Sequence, residues 1–125
     1  MRKPAYIITT VSAVAILLGT IALSPTLSAA EKKALSPAEQ GKKIAENRKK
    51  GNCFSCHSYE GASLAGNIGP PLVAMKSRYP DKRKLHDQVA DASKANPKTV
   101  MPPFGRHEIL TPKEIDLIVE WLYTL

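Results

Sequence analysis

The chain has 125 residues and carries 18 lysines and arginines against 11 acidic residues, a net charge of +7. With 43% apolar residues, 10 prolines and 2 cysteines it has the composition of one small globular domain, and it lacks the cysteines a disulfide-stapled scaffold needs. No recognisable nucleic-acid-binding motif accompanies the basic balance, so we expect no nucleic-acid partner and instead a solvated surface suited to an acidic protein.

Arg2 and Lys3 precede an uncharged, mostly apolar stretch from Ala5 to Leu23, and Pro25 is followed by Ser28-Ala29-Ala30. This is the layout of a secretory signal peptide over residues 1–30, cleaved after Ala30, which leaves Glu31 at the new terminus and no stable membrane anchor. An uncleaved anchor is the rival, since the run approaches the roughly 20 residues that span a bilayer; Thr9, Thr10, Ser12 and Gly19 dilute it. Cleavage takes the basic count from 18 to 16 against 11 acids, a net +5 on 95 residues. A core of that size is marginal. A buried cofactor would supply the missing apolar surface.

Glu31 to Leu35 form a polar tail, and the folded domain is expected over residues 36–125. Ser36-Pro37-Ala38-Glu39 is a capping box with proline at the first helical position. It predicts a helix running to about Lys50, with Gly41, Ile44 and Ala45 facing inward and Gly51 ending it. Cys53-Phe54-Ser55-Cys56-His57 follows, and C-x-x-C-H is the attachment motif of a c-type haem. Sulfurs three apart share one face of a helical turn, so Cys53 and Cys56 can form thioethers to the two vinyl groups while His57 presents its imidazole to the iron. A thioredoxin-like redox pair, a local disulfide and half of a zinc site are the alternatives. Neither a βαβ pattern nor a second Cys/His pair accompanies them. Haem c is attached outside the bacterial cytoplasm, so motif and leader point to the same compartment, the periplasm.

Three glycines and a Pro-Pro pair between Gly61 and Pro71 mark a loop, followed by the apolar run Leu72 to Met75. Pro80 and Asp81 open a second helix with Leu85, Val89 and Ala92 on one side, and Asn96-Pro97 stops it. Lys98 to Gly105 is irregular and holds Met101-Pro102-Pro103-Phe104. Thr111-Pro112-Lys113-Glu114 is a second capping box, and Ile115, Ile118, Val119 and Leu122 recur at helical spacing beside Trp121. No alternating strand pattern appears. The expected fold is all-α, with helices joined by proline-rich loops around one covalent haem.

Six-coordinate iron needs a ligand opposite His57, and the candidates are Met75, Met101, His86 and His107. Met101 is favoured because two prolines fix the backbone after it, which suits a loop held against a haem face. Met75 follows an apolar run and reads as core, while His86 and His107 sit among charged residues and read as solvated surface histidines. His/Met ligation raises the reduction potential relative to bis-His. The backbone carbonyl of Pro70 is the candidate partner for the second ring nitrogen of His57. Of two basic clusters, Arg48-Lys49-Lys50 lies beside the haem motif and is a candidate docking patch, and Lys82-Arg83-Lys84 falls on the second helix.

Gly41, the haem motif, Gly69-Pro70-x-Leu72, a downstream methionine and a last helix bearing Trp121 together resemble class I c-type cytochromes. More narrowly, Gly51-Asn52-Cys53, Gly66-Asn67-Ile68-Gly69-Pro70-Pro71-Leu72, Met75-Lys76-x-Arg78-Tyr79-Pro80-Asp81, Asn96-Pro97 and Val100-Met101-Pro102-Pro103-Phe104-Gly105 resemble the SoxX family, over about residues 41–125. SoxX is the monohaem subunit of the SoxAX complex of thiosulfate oxidation. The resemblance implies Cys53 and Cys56 as thioethers, His57 and Met101 as axial ligands, and Pro70 and Leu72 against the haem. It also implies a SoxA-like cytochrome partner holding the active-site haem and a sulfur-accepting cysteine, a SoxYZ carrier whose cysteine receives thiosulfate, and a downstream electron-acceptor cytochrome. On that basis the chain is the redox subunit of a thiosulfate-conjugating transferase and is not catalytic alone. A free-standing periplasmic shuttle serving a terminal oxidase or reductase is the alternative.

Overall fold

Two reciprocal capping boxes start the two longest helices. In the computed structural model, which describes residues 34–62 and 64–125, Ser36 Oγ accepts from the Glu39 amide at 3.2 Å while Glu39 Oε2 accepts from the Ser36 amide at 2.7 Å. Thr111 and Glu114 repeat the arrangement at 3.3 and 2.9 Å. Helix α1 therefore begins at Pro37 and ends at Glu46, and helix α4 spans Pro112–Leu122. The signal-peptide region 1–30 and residues 31–33 of the expected tail lie outside the described residues.

Helix α1 is shorter than its expected run to Lys50. Asn47 leaves helical geometry at ψ 114°, its side-chain oxygen accepts from the Lys49 amide at 2.9 Å, and its carbonyl accepts from the amides of Lys50 and Asn52. An asparagine offering these bonds competes with helix continuation. Gly51 lies after that turn rather than at the helix end, with its amide on the Ile44 carbonyl at 3.2 Å.

A four-residue helix, α2 (Met75–Arg78), occupies the end of the apolar run and was not predicted. It starts from Ala74 in the left-handed region, φ 49°, and the Leu125 carbonyl accepts from its Met75 amide at 3.1 Å. Helix α3 (Lys82–Ala90) is capped by Asp81, whose carboxylate accepts from the Arg83 amide. It stops before the expected Asn96-Pro97. Asp91 turns extended, at φ −158°, and its carboxylate caps a 3-10 turn, Ala92–Lys94, so that Ala92 is buried from the turn instead of from the helix.

Helix α1 packs chiefly on α4, and Gly41 makes the crossing possible. A β-carbon there would run into the Leu117 carbonyl and lie 2.9 Å from the Ile118 amide nitrogen. Leu85, Leu110, Ile115 and Ile118 are the large, fully buried side chains of the core, joined by Ala45, Leu72, Val89, Phe104 and Trp121. Each large apolar side chain buried this way contributes about 1.5–3 kcal/mol. The architecture is all-α, with no strand among the described residues. Between the helices run two 3-10 turns and irregular chain, which together with the inward faces of α2, α3 and α4 build the site.

Candidate cofactor site

Asn52 takes a left-handed conformation, φ 46°, and reverses the chain out of the α1 turn into a 3-10 turn over Cys53–Ser55. The Cys53 carbonyl accepts from the amides of Cys56 at 3.2 Å and His57 at 2.9 Å. This tight turn holds both cysteines and His57 on the wall of one cavity of about 670 Å³, a size in the range of cofactor pockets. Burial pushes the Cys53 thiol up to about 11, with the neighbouring Cys56 adding to the shift, so the thiol stays neutral.

The 61–72 loop is laid along this turn by three backbone bonds. Gly66 donates to the Phe54 carbonyl, Gly69 to the Cys56 carbonyl and Leu72 to the Ser58 carbonyl, at 2.8, 2.8 and 2.7 Å. The alignment delivers the Pro70 carbonyl to His57 Nδ1 at 2.7 Å. A carbonyl only accepts, so Nδ1 carries the proton and Nε2 keeps the lone pair a metal requires. Gly69 is essential to the fit: a β-carbon would lie 2.6 Å from His57 Nδ1 and 2.9 Å from Nε2. Arg78 secures the loop further by donating to the Pro71 carbonyl at 2.8 Å.

Met101 and Met75 both line the same cavity, with Leu72, Leu85, Val89, Phe104, Leu110 and Ile118 supplying apolar surface. The two methionines differ in their engagement. Met75 is 3% exposed, and its sulfur accepts from Arg78 Nη1 at 3.4 Å. Met101 sits in the irregular segment, half-buried, its amide donating to Thr99 Oγ1 at 3.2 Å. His86 and His107 do not line the cavity; His86 lies 3.7 Å from both Asp87 and Asp116.

Of the basic cluster beside the motif, Arg48 and Lys50 line the cavity. Lys50, however, is ion-paired to Glu114 at 2.7 Å. That pair fastens the turn before the motif to the first turn of α4. Behind the motif, Phe54, Tyr59 and Trp121 form an aromatic trio with centroids 4.6–5.8 Å apart, and Tyr59 Oη donates to Glu46. Sequence reasoning missed the roles of Gly69, Arg78 and this trio. The Gly-Pro-Pro string is the one cue to the first, because glycine beside a rigid dipeptide marks a close approach as well as a turn.

Paired thiols on a tight turn, an imidazole with its Nε2 lone pair free, two thioethers on the same wall and an apolar lining fit the donor set of a covalently held iron porphyrin. A zinc site does not fit, because no group of three or more metal-binding side chains exists among the described residues.

The family model described as cytochrome c oxidase, cbb3-type, subunit III matches residues 36–122. An uncharacterized lipoprotein of Aquifex aeolicus (strain VF5) is 37% identical over 76 residues, which cover 60% of this chain. The match spans only 37% of that relative's own length. Among solved structures, the crystal structure of SoxXA from P. pantotrophus superposes with a TM-score of 0.64 at 26% identity, covering 74% of this chain and 83% of that chain. The fold is that of class I cytochromes c.

Proposed function

From the premise that the chain belongs to the cytochrome c family whose model is described as cbb3-type cytochrome c oxidase subunit III, we propose that it is a periplasmic, SoxX-like monohaem cytochrome. Its role is that of electron-accepting subunit in a SoxAX-type L-cysteine S-thiosulfotransferase, which couples thiosulfate oxidatively to a cysteine of a SoxYZ carrier. Its partners are a SoxA-like cytochrome, that carrier and a downstream electron-acceptor cytochrome. The likeness to SoxXA, spread over most of both chains, is the observation that carries this assignment.

Membership of the family implies a covalently bound haem, and we assign one, held by thioethers to Cys53 and Cys56. His57 Nε2 and Met101 Sδ would hold its iron. Met101 is preferred to Met75 because the Arg78 guanidinium already engages the Met75 sulfur. When bound, the haem supplies a one-electron couple. The chain's own residues do the rest: Pro70 holds the imidazole proton on Nδ1, Leu72 and the apolar wall exclude water, and Arg78 keeps the proline loop in place.

Stoichiometry supports the division of labour. Joining two sulfur atoms in one S–S bond releases two electrons, and a single haem takes up one at a time. Cys53 and Cys56 are the only cysteines, and thioether formation leaves neither as a sulfur nucleophile. The sulfur chemistry therefore falls to the partner.

The second role is that of a free-standing shuttle serving a terminal oxidase or reductase, since the matching family is named for a subunit of a cytochrome c oxidase. Purification of the native protein separates the two. A stable complex with a larger haem protein, able to conjugate thiosulfate to a carrier cysteine, is expected; a clean monomer that reduces an oxidase and forms no such complex refutes the subunit role. Mass spectrometry of the mature chain should find Glu31 at its N-terminus.

A further inference from the structure

Asp91 is a buried charged side chain, 5% exposed, and it lies outside the cavity wall. A buried carboxylate needs a reason to be there, since desolvation disfavours the ion unless it is paired and hydrogen-bonded. Its two oxygens have different partners. Oδ1 accepts from Ser93 Oγ at 2.5 Å and from the Ser93 amide at 3.2 Å, capping the 3-10 turn. Oδ2 faces Arg106 Nη1 at 3.5 Å.

The location of that pair carries the inference. The irregular segment that presents Met101 leaves the 3-10 turn at Asn96, whose amide donates to the Ala92 carbonyl at 3.0 Å. It returns at Gly105 and Arg106, whose amides donate to the Ala90 carbonyl at 2.9 and 3.4 Å. Both ends of the segment are thus fastened to the residues on either side of Asp91, which makes it a closed loop with Met101 in its middle. Gly105 allows the return strand to come this close: a β-carbon there would sit 3.1 Å from Ala90 Cβ and 3.2 Å from Ile115 Cδ1. The Asp91–Arg106 ion pair is the side-chain contact across the neck of that loop.

We propose that Asp91 and Arg106 form a clasp that positions Met101, holding the loop neck shut so that the thioether stays against the cavity. The clasp rests on the assignment of Met101 as axial ligand. Asp91 is a positioning residue: it acts through Arg106 and the loop, never on the iron. Its partition of oxygens makes the idea separable from a purely structural role, because Asp91→Asn keeps Oδ1 to cap the turn while replacing the charged Oδ2 that faces the guanidinium.

The test uses the haem-loaded ferric protein and imidazole as the probe, since imidazole occupies the sixth position only when Met101 has left it. Asp91→Asn should raise the imidazole on-rate on the order of fivefold, the scale of one partly exposed charge pair. Arg106→Gln, a change on a side chain 56% exposed that leaves folding intact, should raise it alike. The double variant should exceed neither single one, because residues acting through each other do not add. Unchanged rates in the single variants, or additive effects in the double, overturn the clasp. Absence of the weak far-red sulfur–iron band in the wild type, or its survival in Met101→Ala, overturns the ligand assignment and the clasp with it. A wild-type band that Met101→Ala abolishes, beside an unchanged rate in Asp91→Asn, removes the clasp alone.

Discussion

Alanine at position 69 places its methyl group against the imidazole ring of His57. Its β-carbon would lie 2.6 Å from His57 Nδ1 and 2.9 Å from Nε2, whereas relaxed heavy-atom contacts fall at roughly 3.5–4.0 Å. Ring or loop must therefore yield by about 1 Å. The loop is poorly placed to yield, because Gly69 donates to Cys56 at 2.8 Å and Leu72 donates to Ser58 at 2.7 Å on either side of it. Gly69 is not among the positive-φ residues, so alanine carries no backbone penalty there and the perturbation is steric. If the ring retreats, the 2.7 Å bond to the Pro70 carbonyl stretches past the roughly 3.2 Å limit of useful hydrogen bonds. An orienting bond of this kind raises the basicity of the ligand, and its loss typically lowers metal affinity about 10- to 100-fold. A less basic imidazole stabilises ferric iron less, so the reduction potential of Gly69→Ala should rise and its low-spin spectrum should be lost at lower denaturant. Gly61→Ala is the control: φ is +88° with no atom within 4 Å, so it costs about 1 kcal/mol of stability and leaves the haem spectrum alone. Potentiometry and denaturant titration of both holoproteins decide the matter. Wild-type potential and stability in Gly69→Ala, or an equal spectral change in Gly61→Ala, refute the steric account.

Three further changes have defined outcomes. Gly41→Ala drives a methyl into the Leu117 carbonyl and should destabilise by about 1–3 kcal/mol in a denaturant titration, outweighing alanine's better helix propensity; a stabilised variant would contradict the α1–α4 crossing. Met75→Leu conserves volume in the core and should cost less than about 1.5 kcal/mol while keeping the far-red sulfur band, which a loss of that band would disprove. Lys50, and then the Thr111 amide, hold the Glu114 carboxyl below its ordinary 4.5, so the group contributes stability above pH 4.5 that disappears as pH falls through its depressed folded value. Glu114→Gln should consequently be less stable than wild type at neutral pH and converge with it in acid; a gap that persists in acid refutes the ion-pair origin.

Local rules account for what was legible in the sequence. The capping boxes at Ser36 and Thr111 and the burial of Gly41, Ala45, Ile115, Ile118 and Leu122 followed from hydrogen-bond stoichiometry and helical spacing. Cys53, Cys56, His57, Pro70, Leu72 and Met101 could be named as candidates because the motif and the prolines are contiguous strings, and all six line one cavity. Three features were not legible, each for a physical reason. Helix α2 depends on Ala74 at positive φ and on a cap from Leu125, fifty residues on, and neither leaves a local mark. The early ends of α1 and α3 come from Asn47 and Asp91 diverting backbone amides, a competition that propensity leaves undecided. The closeness of Gly69 to His57 is created by the parallel course of two loops, which exists only in three dimensions.

Charge placement bears on the two proposed roles. The runs Arg48-Lys49-Lys50 and Lys82-Arg83-Lys84 suggest two concentrated basic patches, but the fold spends part of each internally. Lys50 is paired to Glu114 at 2.7 Å, Lys82 to Glu120 at 2.6 Å, and Arg83 to Asp81 at 3.5 Å. Beside the haem motif, Arg48 and Lys49 remain without an ion pair among the described residues. A diffusing shuttle relies on a strong local field to find its partner within each encounter, and that field is screened within about 10 Å at ordinary salt. A subunit already held in a complex has no such need. The Lys50–Glu114 pair fastens the turn before the motif to α4, and the proposed resident redox subunit should take up electrons from its partner with only weak dependence on ionic strength.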